Sequence, residues 1–230
     1  NKIDKIILTP LNRKIDILRS YSIDFLVVLK FDHTLAKMSA TDFIENIIIK
    51  KFNPIHLIIG HDHHFGNKRE GDYSLLNSFS KKYKFVIHTL EKYCLNNTEI
   101  SSTKIRQFLN LGKVEEANKL LGWNYEIAGS VIKGDGLGSK LGYPTANISL
   151  LDKNQVLPAN GVYFVNTYIN GNIIFGMCNI GTRPTVDGKN KRLEVNFFNN
   201  NDLNLYSKLI SIVFNKYLRS EKKFSSLDKL

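Results

Sequence analysis

Apolar and polar positions alternate along this chain in two different rhythms. From Leu11 to Ser20, Ile15 and Leu18 recur at helical spacing and predict an amphipathic helix. Phe25–Leu29 is a short, unbroken apolar run, which predicts a buried strand. Ser39 followed by Asp42 reads as a capping-box-like helix start. The helix it opens places Phe43, Ile44, Ile47 and Ile48 at core spacing. The runs Ile55–Ile59, ending on Gly60, and Phe85–Leu90 predict two further strands. Strand, helix and strand in alternation predict a parallel α/β sheet. Ser101-Ser-Thr103 then opens a helix with Ile105, Phe108 and Leu109 inside, Leu111-Gly112 interrupts it, and Val114–Leu121 forms another.

After Gly122 the period falls to two. Strands are predicted at Glu126–Ile132, Gly161–Ile169, Ile173–Asn179, Arg192–Phe198 and Leu209–Phe214. Asn170-Gly171 is a strong hairpin signal, because Asn-Gly suits a turn with positive φ at both centres. Asp187-Gly188 predicts a second hairpin. Closely spaced strands with such turns predict an antiparallel barrel or sandwich. Ser225–Leu230 reads as the start of a helix. The expected boundary lies near Gly122–Tyr125, giving domains 1–122 and 123–230.

Composition narrows the classes of function. The 230 residues allow two ordinary domains, and 43% hydrophobic content suits a globular chain. No apolar run approaches the roughly 18 residues of a membrane span. Cys94 and Cys178 are too few for a disulfide framework and lie in no CxxC, which predicts a reducing, cytoplasmic setting with no membrane partner. The chain begins with Asn1 rather than Met, so the natural polypeptide is expected to start upstream. A net charge of +11 suits either nucleic acid or small anionic ligands. The lysines are scattered rather than clustered, which argues for small ligands and against nucleic acid.

The chemistry concentrates in Gly134-Asp-Gly-Leu-Gly-Ser-Lys-Leu-Gly-Tyr-Pro-Thr-Ala-Asn147. Gly134, Gly136 and Gly138 let a backbone approach a ligand closely. Beyond Pro144, a short extended piece carries Thr145 and Asn147 on one face. Neutral oxygens at that spacing suit Mg²⁺ held jointly with phosphates, although a turn satisfied by its own Thr and Asn fits the same residues. In Lys191–Phe198, Leu193, Val195 and Phe197 share the core face, and Arg192, Glu194 and Asn196 share the other. Glu194 alone fits a solvated carboxylate as readily as a general base. Ser101, Ser102, Thr103 and Arg106 at a helix N-terminus suit anion binding or simple capping. His61, His63 and His64 lack a partner cluster, so no metal site is expected there.

The chain resembles the prokaryotic bifunctional riboflavin kinase/FAD synthetase (FMN adenylyltransferase) family. The resemblance rests on Gly60-His-Asp-His-His-Phe-Gly66, Ile100-Ser-Ser-Thr-Lys-Ile-Arg106, the glycine stretch through Asn147, Asn160-Gly-Val-Tyr163, Asn179-Ile-Gly-Thr-Arg-Pro-Thr185, Leu193-Glu-Val195 and Leu218-Arg219, with Phe224 and Leu227 beyond. It implies a partial, Rossmann-like α/β nucleotidyltransferase domain followed by an antiparallel β-barrel riboflavin kinase domain. It implies phosphorylation of riboflavin to FMN with MgATP and, in the complete protein, adenylylation of FMN to FAD. The family's His-x-Gly-His signature and the first strand before it are absent from these residues. By resemblance, Glu194 is the base. Gly134, Gly136, Gly138, Thr145, Asn147, Ser101, Ser102, Thr103 and Arg106 bind ATP, and Thr145 and Asn147 also hold Mg²⁺. Lys133 or Lys140 offsets phosphate charge. Tyr163, Arg183, Thr185, Arg219 and Asp62 bind flavin, Arg183 being equally suited to satisfying loop carbonyls. The rivals are a flavin-binding or regulatory protein without turnover and a basic nucleic-acid binder.

Overall fold

The structure is a computed structural model that describes residues 7–134, 138, 142–185, 188–198 and 205–222, with the backbone alone at 183–185 and 188–190. Gly136, Lys140, Asp187, Phe224 and the helix expected over 225–230 lie outside the described residues, as do the side chains of Arg183 and Thr185. Two compact units divide the chain. One is Tyr21–Glu99; the other joins Asn1–Ser20 to Ile100–Leu230.

Helix α1 (Leu11–Ser20) has the expected span and belongs to the second unit. The first unit begins with α2 (His33–Lys37), whose N-cap Asp32 accepts from Leu35 N at 3.0 Å. In α3 (Ala40–Phe43), Ser39 Oγ accepts from Asp42 N at 3.0 Å and donates to Asp42 Oδ2 at 2.6 Å. The helix then loosens into a π-helix over Ile44–Phe52 that stops at Asn53, φ 43°. The wider turn moves the inward face, so that Ile44, Ile48 and Ile49 pack on the core. Ile47, expected there from an α-helical period, is not part of that cluster. Strand β1 (His56–Gly60), helix α4 (Tyr73–Tyr83) and strand β2 (Val86–Leu90) follow. The strands pair in parallel with Leu57 opposite Ile87. Ile44, Ile59 and Leu76 are buried at the centre. A hairpin of β3 (Cys94–Leu95) and β4 (Thr98–Glu99) turns on Asn96 and Asn97, both at positive φ.

Phe25–Leu29 departs from expectation. It forms no strand, and Phe25 is 88% exposed, with Leu26, Val27, Val28 and Leu29 also exposed. An apolar run is buried as a strand only where a neighbour supplies its ladder. Among the described residues, β1 pairs with β2 and nothing pairs with this run.

The second unit is built on helices α5 (Ser102–Asn110) and α6 (Val114–Leu121) and on strands β5 (Glu126–Ile132), β6 (Ala146–Leu150), β7 (Gly161–Ile169), β8 (Asn172–Thr185), β9 (Gly188–Phe197) and β10 (Leu209–Arg219). The six strands close into a barrel in the order β10-β5-β6-β9-β8-β7, every pair antiparallel. Closure leaves no free edge. Ile127, Val165, Cys178, Ile180, Val195, Ile212 and Phe214 are fully buried, as the period of two predicts. Asn170 (φ 51°) and Gly171 (φ 81°) make the expected two-residue turn between Ile169 and Asn172. Strands β8 and β10 outrun their expected ends. In β10 two register shifts, between Phe214 and Lys216 and between Tyr217 and Arg219, break the alternation that marks a strand in sequence.

The α5–α6 pair packs on the barrel through polar clamps. Asn118 Nδ2 donates to Phe214 O at 2.9 Å, and Asn118 Oδ1 accepts from Tyr125 N at 2.7 Å. Ala159 N donates to Leu109 O at 2.9 Å.

Candidate active site

Antiparallel register places side chains directly opposite one another on one face of a sheet. Strand β9 sets Glu194 opposite Asn147 of β6 and opposite Asn179 of β8. Asn179 is in turn opposite Val162 of β7, and Val162 is opposite Arg219 of β10. Their neighbours Leu193, Val195, Cys178 and Ile180 point into the barrel. Asn147, Glu194 and Asn179 therefore form a half-buried polar row on its outside. The Glu194 charge reaches inward as well: burial pushes the Cys178 thiol up, and the Glu194 carboxylate adds to it.

Gly134 and Gly138 lie against one end of this row. A β-carbon on Gly134 would overlap the Asn147 amide nitrogen, and one on Gly138 would stand 3.2 Å from Thr145 Oγ1. Tyr143 N donates to Gly138 O at 2.8 Å and shapes the corner. Asn196 Nδ2, two residues along β9 from Glu194, donates to Pro144 O at 2.9 Å. Backbone and side chain thus hold Thr145, Asn147 and Glu194 at one corner. Its oxygens are a hydroxyl, a carboxamide and a carboxylate, a hard donor set that fits Mg²⁺ shared with phosphate oxygens. Among the described residues, no group of three or more His, Cys, Asp or Glu side chains could hold a metal by itself.

The other end of the row is closed by the residues after β10. Arg219 Nη1 donates to Ser220 O at 3.1 Å. Glu221 accepts from Asn179 Nδ2 at 3.5 Å and from Asn160 Nδ2 at 3.3 Å. Asn160, Asn179 and Glu221 carried no expected role, because sequence shows no cross-strand register.

Tyr163 is among the residues expected to bind flavin. It is fully buried inside the barrel, and its hydroxyl donates to Ala159 O at 2.6 Å. Its ring meets Phe214 and Tyr217 edge-on, with centroids 5.4 and 5.3 Å away. Burial pushes its hydroxyl pKa up. A strand residue two away from Val165 shares its inner face and packs in the core.

Residues 101–106 open α5. Ser101 Oγ is engaged as the N-cap, accepting from Lys104 N at 3.2 Å. Ser102 and Thr103 are exposed, Arg106 is half-buried, and Lys104 Nζ lies 5.7 Å over the Phe108 ring of its own helix. These residues belong to the barrel unit, whereas Asp62 belongs to the other. Gly60, His61 and Asp62 leave the carboxyl end of β1, where His61 N donates to Leu90 O at 3.1 Å. That end is where parallel α/β sheets form ligand crevices.

Two family models match the chain in tandem. The riboflavin kinase model matches residues 121–230, and the FAD synthetase model matches residues 1–104. A bifunctional riboflavin kinase/FMN adenylyltransferase of Buchnera aphidicola subsp. Schizaphis graminum is 43% identical, the match covering 97% of this chain and 72% of the relative. The protein of the same name from Escherichia coli K12 is 38% identical, covering 97% of this chain and 71% of the relative. A crystal structure titled as a macrolide-efflux protein from Streptococcus pneumoniae has a TM-score of 0.83 at 32% identity, covering 96% of this chain and 70% of that one. No helix among the described residues is long and apolar enough to cross a membrane. With a closed six-stranded barrel under one family match, parallel strands under the other, and relatives that run through both, the chain belongs to the bifunctional riboflavin kinase/FMN adenylyltransferase family.

Proposed function

We propose that this chain transfers the γ-phosphoryl group of MgATP to the terminal ribityl hydroxyl of riboflavin. The observation that carries the reading is the Asn147–Glu194 register pair, with Gly134 packed on the Asn147 amide. Glu194 accepts the hydroxyl proton while the hydroxyl oxygen bonds to the γ-phosphorus. The bond to the β,γ-bridging oxygen breaks, and ADP leaves. Thr145 and Asn147 would hold the metal, which supplies charge neutralisation at the phosphates. Gly134, Gly136 and Gly138 would serve the nucleotide. Arg183, Thr185 and Arg219 serve the flavin side. Substrates are small molecules, with no nucleic-acid or membrane partner, and the setting is cytoplasmic; both cysteines are unpaired, which suits that setting.

The kinase domain is assigned to residues 123–230 and the nucleotidyltransferase domain to 1–122, a division supported by the limits of the two family matches. The second activity moves AMP from ATP to FMN and releases pyrophosphate. Ser101, Ser102, Thr103 and Arg106 would meet ATP, and Asp62 the flavin. The His-x-Gly-His signature does not occur within these 230 residues.

The decisive experiment is Glu194→Gln. The turnover number for FMN formation should fall by roughly 10²- to 10⁴-fold, the usual worth of a positioned general base. A variant that turns over near the wild-type rate removes Glu194 from the chemistry. Tight flavin binding by the wild type, with no magnesium-dependent ATP consumption, would instead favour a binding protein without turnover.

A further inference from the structure

Glu194 divides the outer row into two sides. On one side are Asn147, Thr145, Gly134 and Gly138; on the other are Asn179, Asn160, Thr182 and Glu221. A base must touch the attacking hydroxyl and also stand beside the phosphate that receives it. With the nucleotide on the Asn147 side, the alcohol has to arrive from the Asn179 side. Charge agrees with this order. A carboxylate at Glu221 repels phosphates and tolerates a neutral polyol.

The Asn179 side is built in detail. Gly181 leaves open the space that Glu221 enters: a β-carbon there would collide with the Glu221 carboxylate. One Glu221 oxygen accepts from Asn179 Nδ2 at 3.5 Å, and the other accepts from Asn160 Nδ2 at 3.3 Å. Asn160 Nδ2 also donates to Thr182 Oγ1 at 2.7 Å. Three strands are tied together: β7 at its start, β8 within its length and β10 at its exit. A carboxamide whose nitrogen is held by a carboxylate cannot rotate freely, and its oxygen is left to accept from a donor.

Resting on the kinase reading above, we infer that Asn179 is a substrate-binding residue that accepts from a ribityl hydroxyl of the flavin, and that Glu221 is the positioning residue that fixes its orientation. Polar groups that hydrogen-bond substrate hydroxyls set both affinity and specificity.

The test combines flavin-fluorescence quenching, with ADP and Mg²⁺ present, and steady-state kinetics. Asn179→Ala should weaken riboflavin binding about tenfold, as expected for one lost hydrogen bond in a partly enclosed site. KM for MgATP should stay within about twofold. Glu221→Ala should weaken riboflavin binding about three- to tenfold, and Glu221→Gln, which keeps an acceptor oxygen, should restore most of it. In an Asn179→Ala background, Glu221→Ala should add nothing, because a positioning residue acts only through its partner. If Asn179→Ala does not fold, Asn179→Ser is read in the same way. Unchanged riboflavin affinity in a folded Asn179 variant overturns the inference, as does a Glu221→Ala effect that persists undiminished without Asn179. Wild-type protein that neither binds riboflavin nor makes FMN overturns the kinase reading along with it. Wild-type activity with unaffected variants overturns this inference alone.

Discussion

A single missing methyl group sets the geometry of the Gly134–Asn147 corner. At Gly134 any β-carbon would run into the Asn147 amide, so an alanine there must displace either the loop or the carboxamide. Gly142 makes a contrasting control. It sits at φ 81°, and among the described residues beyond its chain neighbours no atom lies within 4 Å of where a β-carbon would be, so an alanine there meets chiefly backbone strain. Gly134→Ala should lower kcat/KM for MgATP by about ten- to a hundredfold, since small misplacements of a catalytic corner cost on that order. The riboflavin affinity of the same variant should move far less. Gly142→Ala should cost about 1–2 kcal/mol locally, with a smaller kinetic effect. Equal losses in the two variants, read by steady-state kinetics, would show that chain flexibility rather than the Gly134–Asn147 contact governs this corner.

At the scale of the element, the pairing of β5 with β6 carries Asn147 into position. Gly129 of β5 faces the backbone of β6, and a β-carbon there would overlap the Ser149 carbonyl oxygen and crowd Ile148. Gly129→Ala should destabilise the protein by about 1–3 kcal/mol, the usual cost of overpacking. It should also lower kinase activity, because the strand that would have to shift, Ala146–Leu150, carries Asn147. Urea titration should show a lower midpoint with an unchanged slope. How far such elements can be read from sequence depends on the interaction that builds them. Strands β5 and β7 and the Asn170-Gly171 turn are set by local alternation and turn chemistry, and these were legible. Helix α4 was not read from the sequence, although Asp72 accepts from Leu75 N at 2.9 Å ahead of Leu75, Leu76 and Phe79. The strand expected at Phe25–Leu29 depends on a partner across space, which a one-dimensional pattern does not contain. The inward shift from Ile47 to Ile49 follows from a π-turn, and the long end of β10 from two bulges; both are departures from ideal period. The site divides in the same way. Glu194, Thr145 and Asn147 stood out as residue types, but their meeting, and the arrival of Asn179 and Glu221 beside them, depends on register.

Across the whole molecule, the barrel unit is assembled from distant parts of the chain. Ile7 bridges to Gln155: Ile7 N donates to Asn154 O at 2.7 Å, and Val156 N donates to Ile7 O at 2.9 Å. Leu8 is buried, and α1 brings Arg13 Nε to 3.1 Å from Glu126 Oε1. That nitrogen is enclosed, and its N–H is not aimed at the carboxylate, so the contact is a charge pair without an aligned hydrogen bond. The attraction does not fully offset burial. Desolvation raises the Glu126 pKa, Arg13 lowers it, and the net shift is upward. A carboxyl whose pKa is higher in the folded state binds its proton more tightly there than in the unfolded chain. Stability from this group is therefore greatest below its unfolded value and declines as pH climbs through the folded one. Glu126→Gln removes that slope. The variant should gain stability relative to wild type as pH rises from about 4 toward neutrality, the span in which a carboxyl raised from its ordinary value loses its proton. Urea unfolding of both proteins at several pH values would measure the difference. If the variant instead lost ground as pH rose, the Arg13 attraction would outweigh desolvation, and the link between α1 and the barrel would be held together chiefly by charge.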